Sequence, residues 1–165
     1  MLNVNNSIDD NYRYKMPKVS IKYGGNGNGK FTIINNINDI ADSINSPPEI
    51  ICKYISYSCG SGYNEKDNTI TGHHNNIQNI IFDYINNFVI CTTCNIPELN
   101  YFLEKISVKK SNLVCKCSAC GTIHKIKSSN KINDKCIDTI TKYLQKEGTW
   151  IKTNGSMVQQ EDDNI

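Results

Sequence analysis

The sequence predicts an α+β protein: a small mixed α/β domain followed by a four-cysteine ribbon, with flexible N- and C-terminal tails. Three observations carry this reading. Short alternating strands enclose a glycine-rich run, Gly24-Gly25-Asn26-Gly27-Asn28-Gly29. Apolar residues at helical spacing dominate the stretch from Ile37 to Phe88. Then Cys91, Cys94, Cys117 and Cys120 form two C-x-x-C pairs, the spacing at which paired thiolates reach one tetrahedral ion, with Zn²⁺ the ion that favours four sulfurs.

Residues 1–16 are polar and aperiodic, so a mobile arm is expected there. Val19, Ile21 and Tyr23 alternate with polar residues as a half-buried strand does, and Phe31, Ile33 and Ile34 supply its partner. The glycines between them suit a hairpin tip with several positive-φ positions. Ile37, Ile40, Ala41 and Ile44 fall on one helical face behind Asn36, a candidate cap. Pro47 and Pro48 suit the first turn of a second helix carrying Ile50, Ile51, Tyr54 and Ile55, stopped by Gly60-Ser61-Gly62. A short hairpin is expected over 64–71. The strongest helical stripe runs from Asn75 to Phe88 and leads directly into Cys91. Ile132, Cys136, Ile137, Ile140, Tyr143 and Leu144 mark a closing helix ending near Gly148. The expected organisation is therefore an arm over 1–16, an α/β domain over 17–88, a ribbon over 89–127, a closing helix over 128–147 and a tail over 148–165.

Composition narrows the class. The chain has 165 residues, 38% of them hydrophobic, a thin core that a metal staple would help. A net charge of +2 provides no global basic field. The N-terminus, Met1 to Asn6, lacks the basic and apolar regions of a secretory signal, and no apolar run approaches a membrane span. Reduced thiols, a cytoplasmic setting and a monomer that contacts no membrane are expected.

Within the ribbon, 22 residues separate Cys94 from Cys117. Cys115 and His124 compete as ligands, but only Cys117 completes a C-x-x-C-G knuckle. Four sulfurs leave no open position, so such a metal is structural. Cys52, Cys59 and Cys136 read as core residues. Gly24 to Lys30 nearly spells a phosphate-binding loop, yet Phe31 stands where Ser or Thr would hold Mg²⁺, and a strand follows instead of a helix. His73 and His74 lack a nucleophile or carboxylate partner in the sequence, and no enzyme constellation of the chain's own emerges. Tyr12-Arg13-Tyr14-Lys15-Met16-Pro17 reads, on composition, as a solvated tail.

Taken together, Tyr12 to Pro17, the Gly25–Gly29 hairpin, Asn45-Ser46-Pro47-Pro48 followed by Lys53-Tyr54, and the segments around Cys91/Cys94 and Cys117/Cys120 resemble the N-terminal domain of eukaryotic translation initiation factor 5. The ribbon half alone also resembles the β subunit of initiation factor 2. The resemblance implies a GTPase-activating protein, not an enzyme on its own, that stimulates GTP hydrolysis by initiation factor 2 on the small ribosomal subunit. It implies Arg13 acting in trans on the GTP of the γ subunit, with Lys53 matching one of two implicated lysines and Phe31 standing at the other, beside Lys30. It places Gly25, Asn26, Gly27, Asn28, Gly29 and Lys30 near initiator tRNA and the start-codon region of the small ribosomal subunit. The family's linker and helical-repeat domain have no counterpart in this sequence. Trp150 and the acidic Glu161-Asp162-Asp163 are expected as a plain tail or a vestigial docking peptide. Two other readings remain open: a ribosome-binding module without activation, and an initiation factor 2 β-like subunit.

Overall fold

A computed structural model of the chain describes residues 1–126 and 129–150. Its elements run β1 (Leu2–Asn3), β2 (Lys15–Met16), β3 (Ile21–Gly24), β4 (Phe31–Ile34), α1 (Ile37–Ser43), α2 (Pro48–Cys59), β5 (Tyr63–Asn64), β6 (Thr69–Thr71), α3 (Ile77–Phe88), β7 (Leu99–Lys105), β8 (Ser111–Cys117), β9 (Ile123–Lys125) and α4 (Lys131–Glu147). Among the described residues the strands form a β1-β2 pair, a four-stranded sheet β3-β4-β6-β5 and a three-stranded sheet β7-β8-β9. The mixed α/β domain followed by a cysteine ribbon is thus present.

Alternation builds the first sheet. On β4, Thr32 and Ile34 are buried while Phe31 and Ile33 are half-buried, the two-residue period of a sheet with one packed face. β3 pairs antiparallel with β4 from Ile21↔Ile34 to Gly24↔Phe31. Its tip needs glycine: Gly25 has φ +78°, and an added Cβ there would lie 1.9 Å from the Gly29 carbonyl oxygen. The short hairpin expected over 64–71 is β5-β6, paired Tyr63↔Ile70 and Asn64↔Thr69.

The helices follow their apolar stripes. Pro48 opens α2, where its missing N–H costs nothing, and Gly60 closes it at φ +66°. On α3, Ile77, Ile81, Tyr84, Ile85 and Phe88 are buried to 2% exposure or less. Tyr84 and Phe88 stack with centroids 5.6 Å apart, and Tyr54 of α2 meets Tyr84 edge-on at 5.3 Å. α3 begins two residues later than its sequence pattern suggested, at Ile77. Asn36 precedes α1 without capping it: its side chain instead accepts from Ser20 N–H and donates to the Lys18 carbonyl, tying α1 to the segment that leads into β3. α4 packs on α2 and on the ribbon strands β7 and β8. Asn130 caps its start by accepting from Asn133 N–H, and Gly148 ends it at φ +83°.

Two expectations are corrected. The arm expected to be mobile over 1–16 is folded. Leu2↔Met16 and Asn3↔Lys15 pair as β1 and β2, Val4 N–H donates to the Tyr14 carbonyl at 2.9 Å, and Val4 and Met16 are buried at 1% and 0% exposure. Burying two such side chains is worth about 1.5–3 kcal/mol each, which offsets the ordering of a polar segment. Trp150, expected in a plain tail, belongs to the core at 4% exposure. Its ring packs 4.7 Å from Tyr101, and its indole N–H donates to the Asn45 carbonyl. Glu161, Asp162 and Asp163 lie outside the described residues.

Candidate functional site

The ribbon gathers its cysteines through two copies of one turn. In the first, Asn95 N–H donates to the Cys91 carbonyl at 2.8 Å and Cys91 N–H to the Ile96 carbonyl at 3.0 Å. In the second, Gly121 N–H donates to Cys117 and Cys117 N–H to Thr122, at the same two distances. Each turn needs a left-handed residue just after its second cysteine: Gly121 at φ +78° and Asn95 at φ +62°. The glycine announced its knuckle in the sequence. The asparagine did not, although Asn is the residue other than glycine that best tolerates this conformation.

The result is one compact sulfur set. The Sγ atoms of Cys91, Cys94, Cys117 and Cys120 all lie within 4.8 Å of one another, with Cys91–Cys120 at 3.8 Å and Cys94–Cys117 at 3.6 Å. A disulfide would bring two sulfurs to about 2.05 Å, so these are free thiols. A tetrahedral ion with bonds of about 2.3 Å requires sulfur–sulfur edges of about 3.8 Å. The four cysteines therefore fit a metal ion. Hydrogen bonding to Thr122 holds the Cys120 thiol down to about 6, whereas desolvation pushes Cys94 up to about 12. Four adjacent thiols do not ionise together without a cation among them, which a bound metal supplies.

Neither rival ligand joins this set. Cys115 lies two residues back along β8, is buried at 2% exposure and pairs in register with Tyr101 and His124. His124 Nε2 stands 3.5 Å from Cys91 Sγ, close enough to orient that sulfur. Cys52 and Cys136 are buried as expected, and Cys59 is partly exposed.

The cysteine cluster is joined to the N-terminal segment. Tyr14 donates from its hydroxyl to the Glu98 carboxylate, and the Glu98 carbonyl accepts from Ser118 N–H, inside the second knuckle, at 2.9 Å. Asn3 organises the rest: its side-chain amide donates to Ser7 and Asp9 carbonyls, and its oxygen accepts from Lys15. Arg13 sits between the half-buried Tyr12 and Tyr14 yet is itself exposed. Its guanidinium lies 5.5 Å from the Tyr14 ring centroid, and among the described residues it makes no ion pair with a carboxylate. A charged, planar donor is thus held outward on an anchored segment.

The other sequence candidates are placed as follows. Lys53 lies on α2, bridging Glu65 at 3.1 Å and Glu49 at 3.6 Å. Its desolvation is outweighed by these two carboxylates, so its pKa is raised. Phe31 is half-buried and covers Gly24, where an added Cβ would meet the ring at 2.4 Å. Gly25, Asn26, Gly27, Asn28, Gly29 and Lys30 are all exposed at the β3–β4 tip, far along the sequence from the metal knuckles. Beside them the Tyr23 and His73 rings lie 4.7 Å apart, tilted at 37°. His74 is structural, its backbone N–H donating to Thr32 Oγ1 and its ring bonding the Thr71 carbonyl. The Tyr14–Glu98 contact and the Asn95 turn carried no sequence signal that pointed to them.

The fold and site define a mixed α/β domain fused to a four-cysteine ribbon with a pinned arginine segment. The chain belongs to the family described as a domain found in initiation factors 2B and 5, whose model matches residues 4–123. It is 37% identical to eukaryotic translation initiation factor 5 of Caenorhabditis elegans over 169 residues, covering 94% of this chain and 37% of that protein. Similarity to the same factor of Saccharomyces cerevisiae is 37% over 119 residues, covering 68% and 28%. For Drosophila melanogaster it is 33% over 139 residues, covering 80% and 29%. The likeness to the N-terminal domain of initiation factor 5, first carried by motifs, extends over most of the chain. The chain spans roughly a third of the length of these relatives. Among the described residues, no helix is long and apolar enough to cross a membrane.

Proposed function

We propose that this chain acts in translation initiation as a GTPase-activating domain, with Arg13 entering the γ subunit of initiation factor 2 to act on its bound GTP. The observation that carries this is the presentation of Arg13: exposed, without a carboxylate partner among the described residues, and flanked by two tyrosines packed on the domain. An arginine supplied in trans stabilises charge spreading over the transferring phosphoryl oxygens and is worth about 10³ or more in rate. Anchoring lowers the ordering cost of placing it, as a pre-formed element should. Lys53 lies on the folded domain as a second contributor, provided that the partner displaces Glu49 or Glu65. The exposed Gly25, Asn26, Gly27, Asn28 and Gly29 backbone with Lys30 would face initiator tRNA on the small ribosomal subunit, since small residues and a cation suit a phosphate backbone. Zn²⁺ is the ion proposed for Cys91, Cys94, Cys117 and Cys120; with all four ligands from protein, it staples the ribbon and takes no part in hydrolysis. The site of action is the cytoplasm, and the domain acts as a monomer.

Single-turnover GTP hydrolysis by initiation factor 2 on the small subunit tests the proposal. Stimulation by this chain is expected, with a loss of about 10³-fold in Arg13→Ala and little recovery in Arg13→Lys, which lacks the planar fork. No stimulation by the unmutated chain would sink the activator reading; equal stimulation by Arg13→Ala would sink the role of Arg13. A second reading, a binding module without activation, is favoured by the Phe31 ring over Gly24 and by the paired state of Lys53. It predicts ribosome binding with no change in hydrolysis.

A further inference from the structure

The three-stranded sheet has two different faces. Leu99↔Cys117, Tyr101↔Cys115 and Leu103↔Leu113 are in register, and of these six only Leu103 is more than 8% exposed. This face carries Cys117 of the cysteine cluster and packs toward α4. The opposite face carries Phe102↔Val114↔Lys125 and Asn100↔Lys116↔Ile123 as two adjacent cross-strand rows. Val114 is buried at 1%, but Phe102 is 38% exposed and Ile123 58%, with Lys116 and Lys125 exposed beside them. An aromatic ring in the open is therefore flanked by two cations across strands spaced about 4.8 Å apart.

Charge is concentrated on the same unit. Between Leu99 and Lys125 the sequence has five lysines, Lys105, Lys109, Lys110, Lys116 and Lys125, against the single acid Glu104, although the whole chain carries only +2. None of the five forms an ion pair among the described residues. Lys109 and Lys110 stand at the β7–β8 turn next to Val108, which is fully exposed.

We propose that this open sheet face binds a single-stranded RNA segment, one base stacking on Phe102 while Lys116 and Lys125 meet its phosphates and the β7–β8 turn lysines extend the track. Ring and cations together are what a single strand uses: every base has a π-face, and the backbone supplies regularly spaced charge. The concentration of like charge opposes a second copy of this chain on the same face. RNA is the polynucleotide expected for a member of a translation-factor family. The site is separate from Arg13 and from the β3–β4 hairpin, and its measurement requires neither ribosome nor partner GTPase.

The experiment is fluorescence anisotropy of a labelled oligouridylate with metal-loaded full chain across a salt series. Phe102→Leu keeps an apolar cover over Val114 but removes the ring, and is expected to weaken binding about tenfold, toward the low end of the range for one stacked base because leucine retains some apolar contact. Phe102→Trp should retain binding. Lys116→Ala/Lys125→Ala should reduce the salt slope by about 1.4, two contacts at about 0.7 each for a single strand. A duplex of the same length should bind more weakly than the single strand. Circular dichroism and metal content, unchanged in these variants, confirm folding. Wild-type affinity in Phe102→Leu, an unchanged slope in the double variant, equal binding of duplex, or equal displacement by polyglutamate would each overturn the proposal. So would complete loss in Lys22→Ala/Lys30→Ala with Phe102→Leu unaffected, which would move the site to the β3–β4 hairpin.

Discussion

Arg13 is informative because of its neighbours. Its own side chain is exposed, so its position is determined by Tyr12 and Tyr14, whose rings lie 5.9 Å apart, and by the bond from Tyr14 to Glu98. That bond also raises the Tyr14 pKa, with Glu98 the first cause, so the phenol remains protonated and donating at neutral pH. Tyr14→Phe keeps the ring and deletes the donor. The expected cost is about 1 kcal/mol, modest because the hydroxyl is close to solvent, and about 2–4 °C in melting temperature. The more specific readout is hydrogen exchange. The Val4 amide, bonded to the Tyr14 carbonyl, should exchange faster in Tyr14→Phe and remain unchanged in Arg13→Ala. If Val4 exchanges at the wild-type rate, the phenol does not pin the segment.

At the scale of elements, the join between α3 and the ribbon is the structural centre. α3 ends at Phe88, Cys91 follows at once, and Tyr101 of β7 donates from its hydroxyl back to the Phe88 carbonyl at 2.6 Å. Tyr101 is buried at 2% exposure, so its deletion leaves a carbonyl without compensation from bulk water. Tyr101→Phe should cost about 1–3 kcal/mol, measurable by urea unfolding of the metal-loaded protein; a change below about 0.5 kcal/mol would show that water replaces the phenol. How much of this was legible beforehand depended on range. Local patterns were readable: the C-x-x-C pairs, the Gly25 turn and the α3 stripe each carry their signal within a few residues. The packed arm, Trp150 and the Tyr14–Glu98 bond were not, because each joins segments far apart in sequence. Val4 and Met16 show no periodicity, and Trp150 looks like a tail until Tyr101 and Asn45 are placed beside it. At the site, the four clustered cysteines were readable while Asn95, His124 and the pairing of Lys53 required the fold.

Considered whole, the molecule keeps several weak acids inside its core, and this fixes how its stability should depend on alkaline pH. Burial pushes the Cys52 thiol up to about 12 and shifts Cys136 upward, and it holds Tyr84 and Tyr101 well above the usual phenol range. In the unfolded chain these groups release protons near their ordinary values, about 9 for the thiols and about 10 for the phenols. Above those values the folded state binds more protons than the unfolded state, so stability must fall as pH rises. Lys53, whose desolvation is outweighed by Glu65 and Glu49, acts in the same direction, because its ion pairs are lost as it deprotonates. Metal-loaded protein should therefore show an unfolding free energy that rises from about pH 7 toward 9, because Cys91, Cys94, Cys117 and Cys120, held as thiolates by the metal, take up protons when it is released, then turns over above about 9 and declines more steeply above about 10 as the phenols join. Each group contributes at most about 1.4 kcal/mol per pH unit. Cys52→Ala removes the thiol whose range runs from about 9 to 12, and should flatten the onset without altering the steeper region. Phenolate absorbance provides an independent check: of the nine tyrosines, Tyr84 and Tyr101 should ionise only with unfolding, as a late cooperative step. A free energy that stays level or rises between about pH 10 and 11, or all phenols titrating smoothly before unfolding, would mean that water reaches these groups in the folded state and that the aromatic junction joining α2, α3 and the ribbon is looser than its packing indicates.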